Sequence, residues 1–171
     1  EKLTPFRKRL AKFVLRRAPV VRALSERLKE RLITEFGVDE KKISVVTIYV
    51  DVNKLGLDVR TLQGEESRSY EKLSREFEST YGGKFNILTV SRLVPIKHID
   101  YQIRAVQTLV GEGHDVVLHI VGDGPEETRL RAYAKELGVG AHVQFHGYRS
   151  GMELGLFYVM CDCFVLTSDY E

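Results

Sequence analysis

Four short apolar segments, at residues 85–91, 116–121, 143–146 and 163–166, alternate with three segments of helical periodicity, at 99–111, 126–137 and 152–159. Strands joined by helix-length crossovers pair in parallel, and right-handed crossovers lay the helices on the two faces of the sheet. The pattern predicts an α/β unit built on a Rossmann-like, doubly wound parallel sheet. It also says where a ligand belongs. In such sheets ligands bind beyond the carboxyl ends of the strands, where strand order reverses, commonly between the first and fourth strands. The loops after Ser91 and after Leu166 are therefore the places to search.

The preceding residues follow other rules. Leu3, Phe6, Leu10, Phe13 and Val14 recur at three- and four-residue steps, while Arg7, Lys8, Arg9, Lys12 and Arg16 occupy the rest of the wheel, giving a basic amphipathic helix that Pro19 ends. A short strand is expected at 20–24. Ser25 is placed to cap a helix over 26–36 with Leu28, Leu32 and Phe36 inward and Gly37 as the stop. Residues 43–52 read as a second strand. Residues 53–83 are polar, with a charged helical stretch at 70–77, and end on Gly82-Gly83. The expected division is 1–52 as a small helix-and-strand unit, 53–83 as a polar helical linker, and 84–171 as the ligand-binding sheet.

At 171 residues and 43% hydrophobic content, the chain can bury one sizeable core and a second small one. No apolar run approaches the ~20 residues that span a bilayer, and the first residues lack the uninterrupted apolar stretch of a secretory signal. A cytoplasmic protein is expected. The two cysteines, Cys161 and Cys163, lie too close along one strand for an easy disulfide and are too few for a zinc site. Net charge is +2 but uneven: residues 1–31 hold 11 Lys and Arg against 3 Glu, whereas the remainder holds 15 against 21 Asp and Glu. The chain starts at Glu1 rather than Met and stops at Glu171 within a pattern, which reads as a piece cut at both ends.

In the first loop, Ser91-Arg92-Leu93-Val94-Pro95-Ile96-Lys97-His98, Arg92 offers a forked donor and Lys97 a point charge beside the amides of the next helix. Those groups converging on one spot suit a diphosphate. Two solvated surface cations are the bland alternative, and their position at the switch point counts against it. In the second loop, Thr167-Ser168-Asp169-Tyr170-Glu171, a carboxylate would face the same crevice and accept hydrogen bonds from sugar hydroxyls. Val121-Gly122-Asp123-Gly124-Pro125 fails as a dinucleotide fingerprint. It follows the second strand, and Glu127 stands where the third glycine belongs. This argues against an NAD enzyme. His114, His142 and His146 are read as strand-edge or core histidines rather than metal ligands. The absence of any Asp-x-Asp leaves Arg92 and Lys97 as the counter-charges, with no metal and no cofactor expected.

Ser91-Arg92-Leu93-Val94-Pro95-Ile96-Lys97, Val121-Gly122-Asp123-Gly124-Pro125, Val143-Gln144-Phe145-His146-Gly147 and Thr167-Ser168-Asp169-Tyr170-Glu171 stand in the order and spacing of the family 4 glycosyltransferases, which this chain resembles. The resemblance implies a retaining enzyme of the two-domain GT-B fold. Residues 84–171 would be an incomplete donor domain, and 1–52 a remnant of the acceptor-side domain and hinge. It implies that Arg92 and Lys97 bind the donor diphosphate and stabilise the leaving nucleotide. Gly122 and Gly124 would shape the cleft wall, Gly147 and Tyr148 would lie against the nucleobase, and Glu171 would contact the donor sugar. The donor would be a UDP- or GDP-linked hexose, transferred by internal return without a protein nucleophile. Departures from the family pattern are His98 for Gly, Thr167 for Pro, and Ile48-Tyr49-Val50-Asp51 for the usual hinge turn. With the second carboxylate and the acceptor-side groups missing, the piece alone is expected to be inactive.

Two other readings compete. The basic helix over 3–17 could dock on an anionic membrane surface with Phe6, Leu10 and Phe13 as its apolar side, which would put the enzyme peripherally on the inner face. Nucleic acid is not expected as a partner, because the first 31 residues have only two Phe and no Tyr or Trp for stacking. A nucleotide-sugar epimerase shares the architecture. A phosphorylase would need a pyridoxal-phosphate lysine whose context is missing.

Overall fold

The computed structural model describes residues 4–46, 55 and 62–169 and divides into two compact units, residues 1–50 and 51–171. The hinge residues 48–51, and Tyr170 and Glu171, lie outside the described residues.

In the first unit, α1 (Pro5–Arg17) and α2 (Glu26–Thr34) accompany two short parallel strands, β1 (Val21–Ala23) and β2 (Ile43–Val45). Ser25 caps α2 as expected, its Oγ accepting from Leu28 N–H at 3.2 Å. Ala23, Leu32, Phe36 and Val38 form the core, with Ala11 and Leu15 of α1 packed against it. Arg16 Nε donates to Phe36 O (3.0 Å), fastening α1 to the end of α2. The stripe of Phe6, Leu10, Phe13 and Val14 faces solvent, with Phe6 77% exposed. A two-stranded sheet covers one side of a helix, and the side it covers is the Ala11 and Leu15 side.

The second unit begins with α3 (Gly64–Tyr81) and continues β3 (Phe85–Val90), α4 (Ile99–Gly111), β4 (Val116–Val121), α5 (Glu127–Glu136), β5 (Val143–Gly147), α6 (Gly151–Met160) and β6 (Cys163–Phe164). The four strands are parallel in the order β5-β4-β3-β6, so the order reverses between β3 and β6, the first and fourth strands. Central β4 is buried along its whole length. Its alternate residues serve opposite faces. Val116, Leu118 and Ile120 meet α4 and α5 through Ile103, Val106 and Leu130. On the other face Val121 joins Leu88, Phe77 of α3 and Phe157 of α6. Each such fully buried aliphatic side chain contributes about 2 kcal/mol.

Two boundaries differ from the sequence reading. Residues 53–83 were expected as a linker, but their helix flanks the sheet: Phe77 and Tyr70 are buried and α3 packs along α6. β6 is shorter than 163–166. Val165 N–H still donates to Leu88 O (2.8 Å), after which the chain leaves the sheet edge toward α4.

Candidate functional site

Beyond the carboxyl ends of β3, β4 and β5 lies a cleft of about 340 Å³. Ser91 and Arg92 line it from the β3 loop, Gly122 and Asp123 from the β4 loop, and Tyr148 and Arg149 from the β5 loop. The first two loops extend the parallel ladder past the strands. Ser91 N–H donates to Val121 O (3.1 Å), Leu93 N–H to Asp123 O (2.7 Å), and Glu126 N–H to Leu93 O (3.1 Å). So close an approach demands glycine. Gly122 has φ +133°, and a Cβ there would meet the Ser91 carbonyl. Its N–H donates to Gly147 O at 2.8 Å, which ties the third loop to the other two. Among the described residues lining the cleft, Arg92 and Arg149 give positive charge against the one carboxylate of Asp123. Ser91 Oγ is buried there without a hydrogen-bond partner among the described residues.

Among the described residues, the other predicted site residues, Lys97, Gly124 and Gly147, stand outside the lining of this cleft. Lys97 ends a 3-10 turn (Pro95–Lys97), and His98 then takes φ +47°, the only positive φ outside glycine among the described residues. A left-handed non-glycine residue costs on the order of 1–2 kcal/mol, which neighbours must offset. The His98 ring stacks on Tyr101 (4.9 Å, 11° between planes), and its Nε2 lies 3.0 Å from Asp169 Oδ2. Thr167 Oγ1 shares its proton between Lys97 O (2.8 Å) and His98 O (3.0 Å) and accepts from Gln102 Nε2 (2.9 Å). Asp169 N–H donates to Ile96 O (3.2 Å). The two loops at the strand reversal are thus bonded to each other, through two of the positions where the sequence departs from the family pattern, His98 and Thr167. Gly124 lies against Leu93, and Gly147 has φ +68°.

Sequence reading missed two features. Arg149 adds a second guanidinium to the cleft, and the signal was a basic residue two positions after a glycine that ends a strand. The other is a buried chain of polar rings. Asn86 Nδ2 donates to Lys84 O (2.9 Å) and Tyr81 O (3.4 Å), so its Oδ1 is the acceptor for His119 Nε2–H at 3.0 Å. His119 Nδ1 is then bare and accepts from His146 Nε2–H, also at 3.0 Å. Burial pushes His119 down to about 3, with His146 adding to the shift, and burial with nearby Arg149 pushes His146 down to about 4. Both rings are neutral at physiological pH. The lone histidine in Val-Val-Leu-His-Ile-Val of β4 was the available clue. Among the described residues, no three His, Cys, Asp or Glu side chains converge as metal ligands. The Cys161 thiol is pushed up to about 12 by burial and by Asp162, which makes it unreactive.

Residues 71–171 match the family model described as "Glycosyl transferases group 1". The chain is 26% identical over 160 residues to a 2-deoxystreptamine glucosyltransferase of Streptomyces kanamyceticus, covering 94% of this chain and 39% of that protein. It is 39% identical over 80 residues to a GDP-mannose-dependent alpha-(1-6)-phosphatidylinositol monomannoside mannosyltransferase of Mycolicibacterium smegmatis, covering 47% of this chain and 21% of the relative. The crystal structure of Anabaena Alr3699/HepE in complex with UDP and glucose superposes with a TM-score of 0.73 at 22% identity, over 97% of this chain and 42% of that one. WaaG, a glycosyltransferase involved in lipopolysaccharide biosynthesis, superposes with a TM-score of 0.68 at 15% identity, over 88% and 38%. The fold is that of these GT-B enzymes, and the chain spans about 40% of the length of the Streptomyces glucosyltransferase and of the Anabaena protein.

Proposed function

Because the chain belongs to the group 1 glycosyl transferases, we propose that the cleft at the ends of β3, β4 and β5 binds the nucleoside diphosphate of a UDP- or GDP-linked hexose in a retaining, family 4-like transferase. The observation that carries this is the convergence of Arg92, Arg149 and the glycine-permitted backbone at Gly122 on one cleft. Guanidinium forks suit phosphate oxygens, and open backbone lets the phosphates come close.

In this reading Arg92 and Lys97 neutralise the charge that builds on the leaving diphosphate as the glycosidic bond breaks. Stabilisation of developing charge is the largest contribution such a site makes. Gly122 and Gly124 form the wall, Gly147 and Tyr148 lie against the base, and Glu171 holds the donor sugar. With the two cationic side chains as counter-charges, the reaction runs without a metal. The leaving phosphate assists the acceptor on the same face of the sugar, which preserves configuration. The relatives' names, with their glucosyl and GDP-mannose donors, fit a hexosyl group on either nucleotide.

Calorimetry with UDP and GDP on the longest natural chain carrying these residues tests the reading. One nucleotide is expected to bind, and Arg92→Ala to weaken it by roughly 10- to 100-fold, the loss of a charge-assisted contact worth about 1.5–3 kcal/mol. Binding of neither nucleotide, or unchanged binding by Arg92→Ala, would overturn it.

A second reading concerns α1. Phe6, Leu10 and Phe13 face solvent together with Arg9, and Arg17 lies over the Phe13 ring at 3.7 Å. We read this face as a contact for anionic lipid: apolar rings at headgroup depth with basic side chains beside them. Among the described residues no helix is long and apolar enough to cross a membrane. Flotation with phosphatidylserine vesicles should carry the protein up at low salt, and Phe6→Ser with Phe13→Ser should abolish this. Equal flotation of the double variant refutes it.

A further inference from the structure

The ladder between β4 and β5 slips at its carboxyl end. Ile120 faces Phe145, but Val121 faces Gly147, so His146 is the extra residue of a bulge. Bulges re-aim the chain that follows, and they gather beside functional sites. Here the chain that follows is Gly147, Tyr148 and Arg149, the third wall of the cleft. In regular pairing His146 would face Val121, and every later residue would arrive one position late, on the opposite face. Gly147 O would then not meet Gly122 N–H.

The His146 ring explains why the slipped register is held. Its Nε2–H reaches His119 Nδ1 at 3.0 Å, and its ring packs on Phe157 with centroids 4.5 Å apart. His119 cannot turn away, because its other nitrogen is committed to Asn86 Oδ1 and its ring is fully buried. Asn86 is fixed in turn by the Tyr81 and Lys84 carbonyls. The chain has one proton arrangement, running from the floor of β3 to the bulge of β5. An unpaired nitrogen at this depth is expensive, so the bond selects the register.

We propose that His146 is a positioning residue for nucleotide binding: its bond to His119 pins the β5 bulge and thereby aims Gly147, Tyr148 and Arg149 at the cleft. The proposal rests on the reading of that cleft as a nucleoside diphosphate site, but the loop geometry can be measured without ligand. His146→Phe keeps the ring against Phe157 and removes the N–H. His146→Gln places an amide N–H near the same point.

Calorimetry with UDP and GDP should show binding weakened about 10-fold or more in His146→Phe and restored to within about 3-fold of the parent in His146→Gln. Nitrogen NMR of the parent should find both histidines neutral, protonated at Nε2 and bare at Nδ1. Amide shifts of residues 122 and 147–149 should move in His146→Phe and return in His146→Gln. Parent-like binding and shifts in His146→Phe overturn the proposal, as does a His146→Gln variant no better than His146→Phe. If the parent binds neither nucleotide, the cleft reading fails while the amide shifts still decide the loop. If His146→Phe does not fold, the parent's tautomers and the His146→Gln shifts decide.

Discussion

Replacing Gly122 by Ala is expected to destabilise the second unit by about 2–4 kcal/mol and to eliminate nucleotide binding. Two effects add. The backbone there sits at φ +133°, a conformation side chains rarely adopt, and the new Cβ would collide with the Ser91 carbonyl. Backbone on both sides cannot swing away as a side-chain end could, so the β3 and β4 loops must part. Parting them breaks the Ser91 to Val121 and Leu93 to Asp123 hydrogen bonds that set the cleft. Gly113→Ala is the control: its φ is +88° but no described residue lies within 4 Å of a Cβ, so only the conformational cost of about 1 kcal/mol applies. Thermal melts should separate the variants by several degrees. Equal melting temperatures for the two would show that the loops are not in contact at Gly122.

Acid is expected to unfold the second unit well before ordinary carboxylate titration does. His119 and His146 are held neutral, with values depressed from 6.5 to about 3 and about 4. In the unfolded chain both protonate near 6.5. Below that pH the unfolded state binds more protons than the folded one, so stability falls as pH falls. The full contribution is present above 6.5 and drains away from there down to about 4 for His146 and about 3 for His119. The slope for fully buried His119 is about 1.4 kcal/mol per pH unit. His146 is only partly buried and adds less, because solvent relaxes around its charge. Over two units the loss reaches about 3 kcal/mol or more, against a typical total of about 5–15. Urea midpoints at pH 7, 6 and 5 measure it. His119→Phe with His146→Phe should flatten the dependence across this window, and a double variant with the parent's slope would refute the assignment.

The sheet was legible because its signals are local. Each strand and helix of residues 85–166 announces its own period, and the reversal between first and fourth strands follows from connectivity. α3 was harder: of its 18 residues only Tyr70 and Phe77 are buried, too few to mark a face against so many charges. α1 shows the opposite problem. It offers both an Ala11 and Leu15 side and a Phe6, Leu10 and Phe13 side, and periodicity cannot say which one the neighbours cover. In the cleft lining, Arg92 followed from its place after the first strand, and Gly122 from the resemblance to the family pattern. The bulge did not, because its cause is a hydrogen bond between residues 27 positions apart. Thr167 and His98, departures from the family pattern when read singly, make sense only as partners in one hydrogen-bonded corner.

The strand order also sets a timetable. β3 cannot pair until β4 has been made, and its other neighbour, β6, closes at Ile87 with Cys163, 76 residues away. Long closures are slow because chain entropy is lost before any contact rewards it. The corner at Thr167 and His98 therefore assembles after the helices have formed. During synthesis the sheet waits for nearly the whole of this segment to emerge, with Leu88 and its neighbours uncovered in the meantime. Helical content should recover early in refolding, and competence to hold a ligand late.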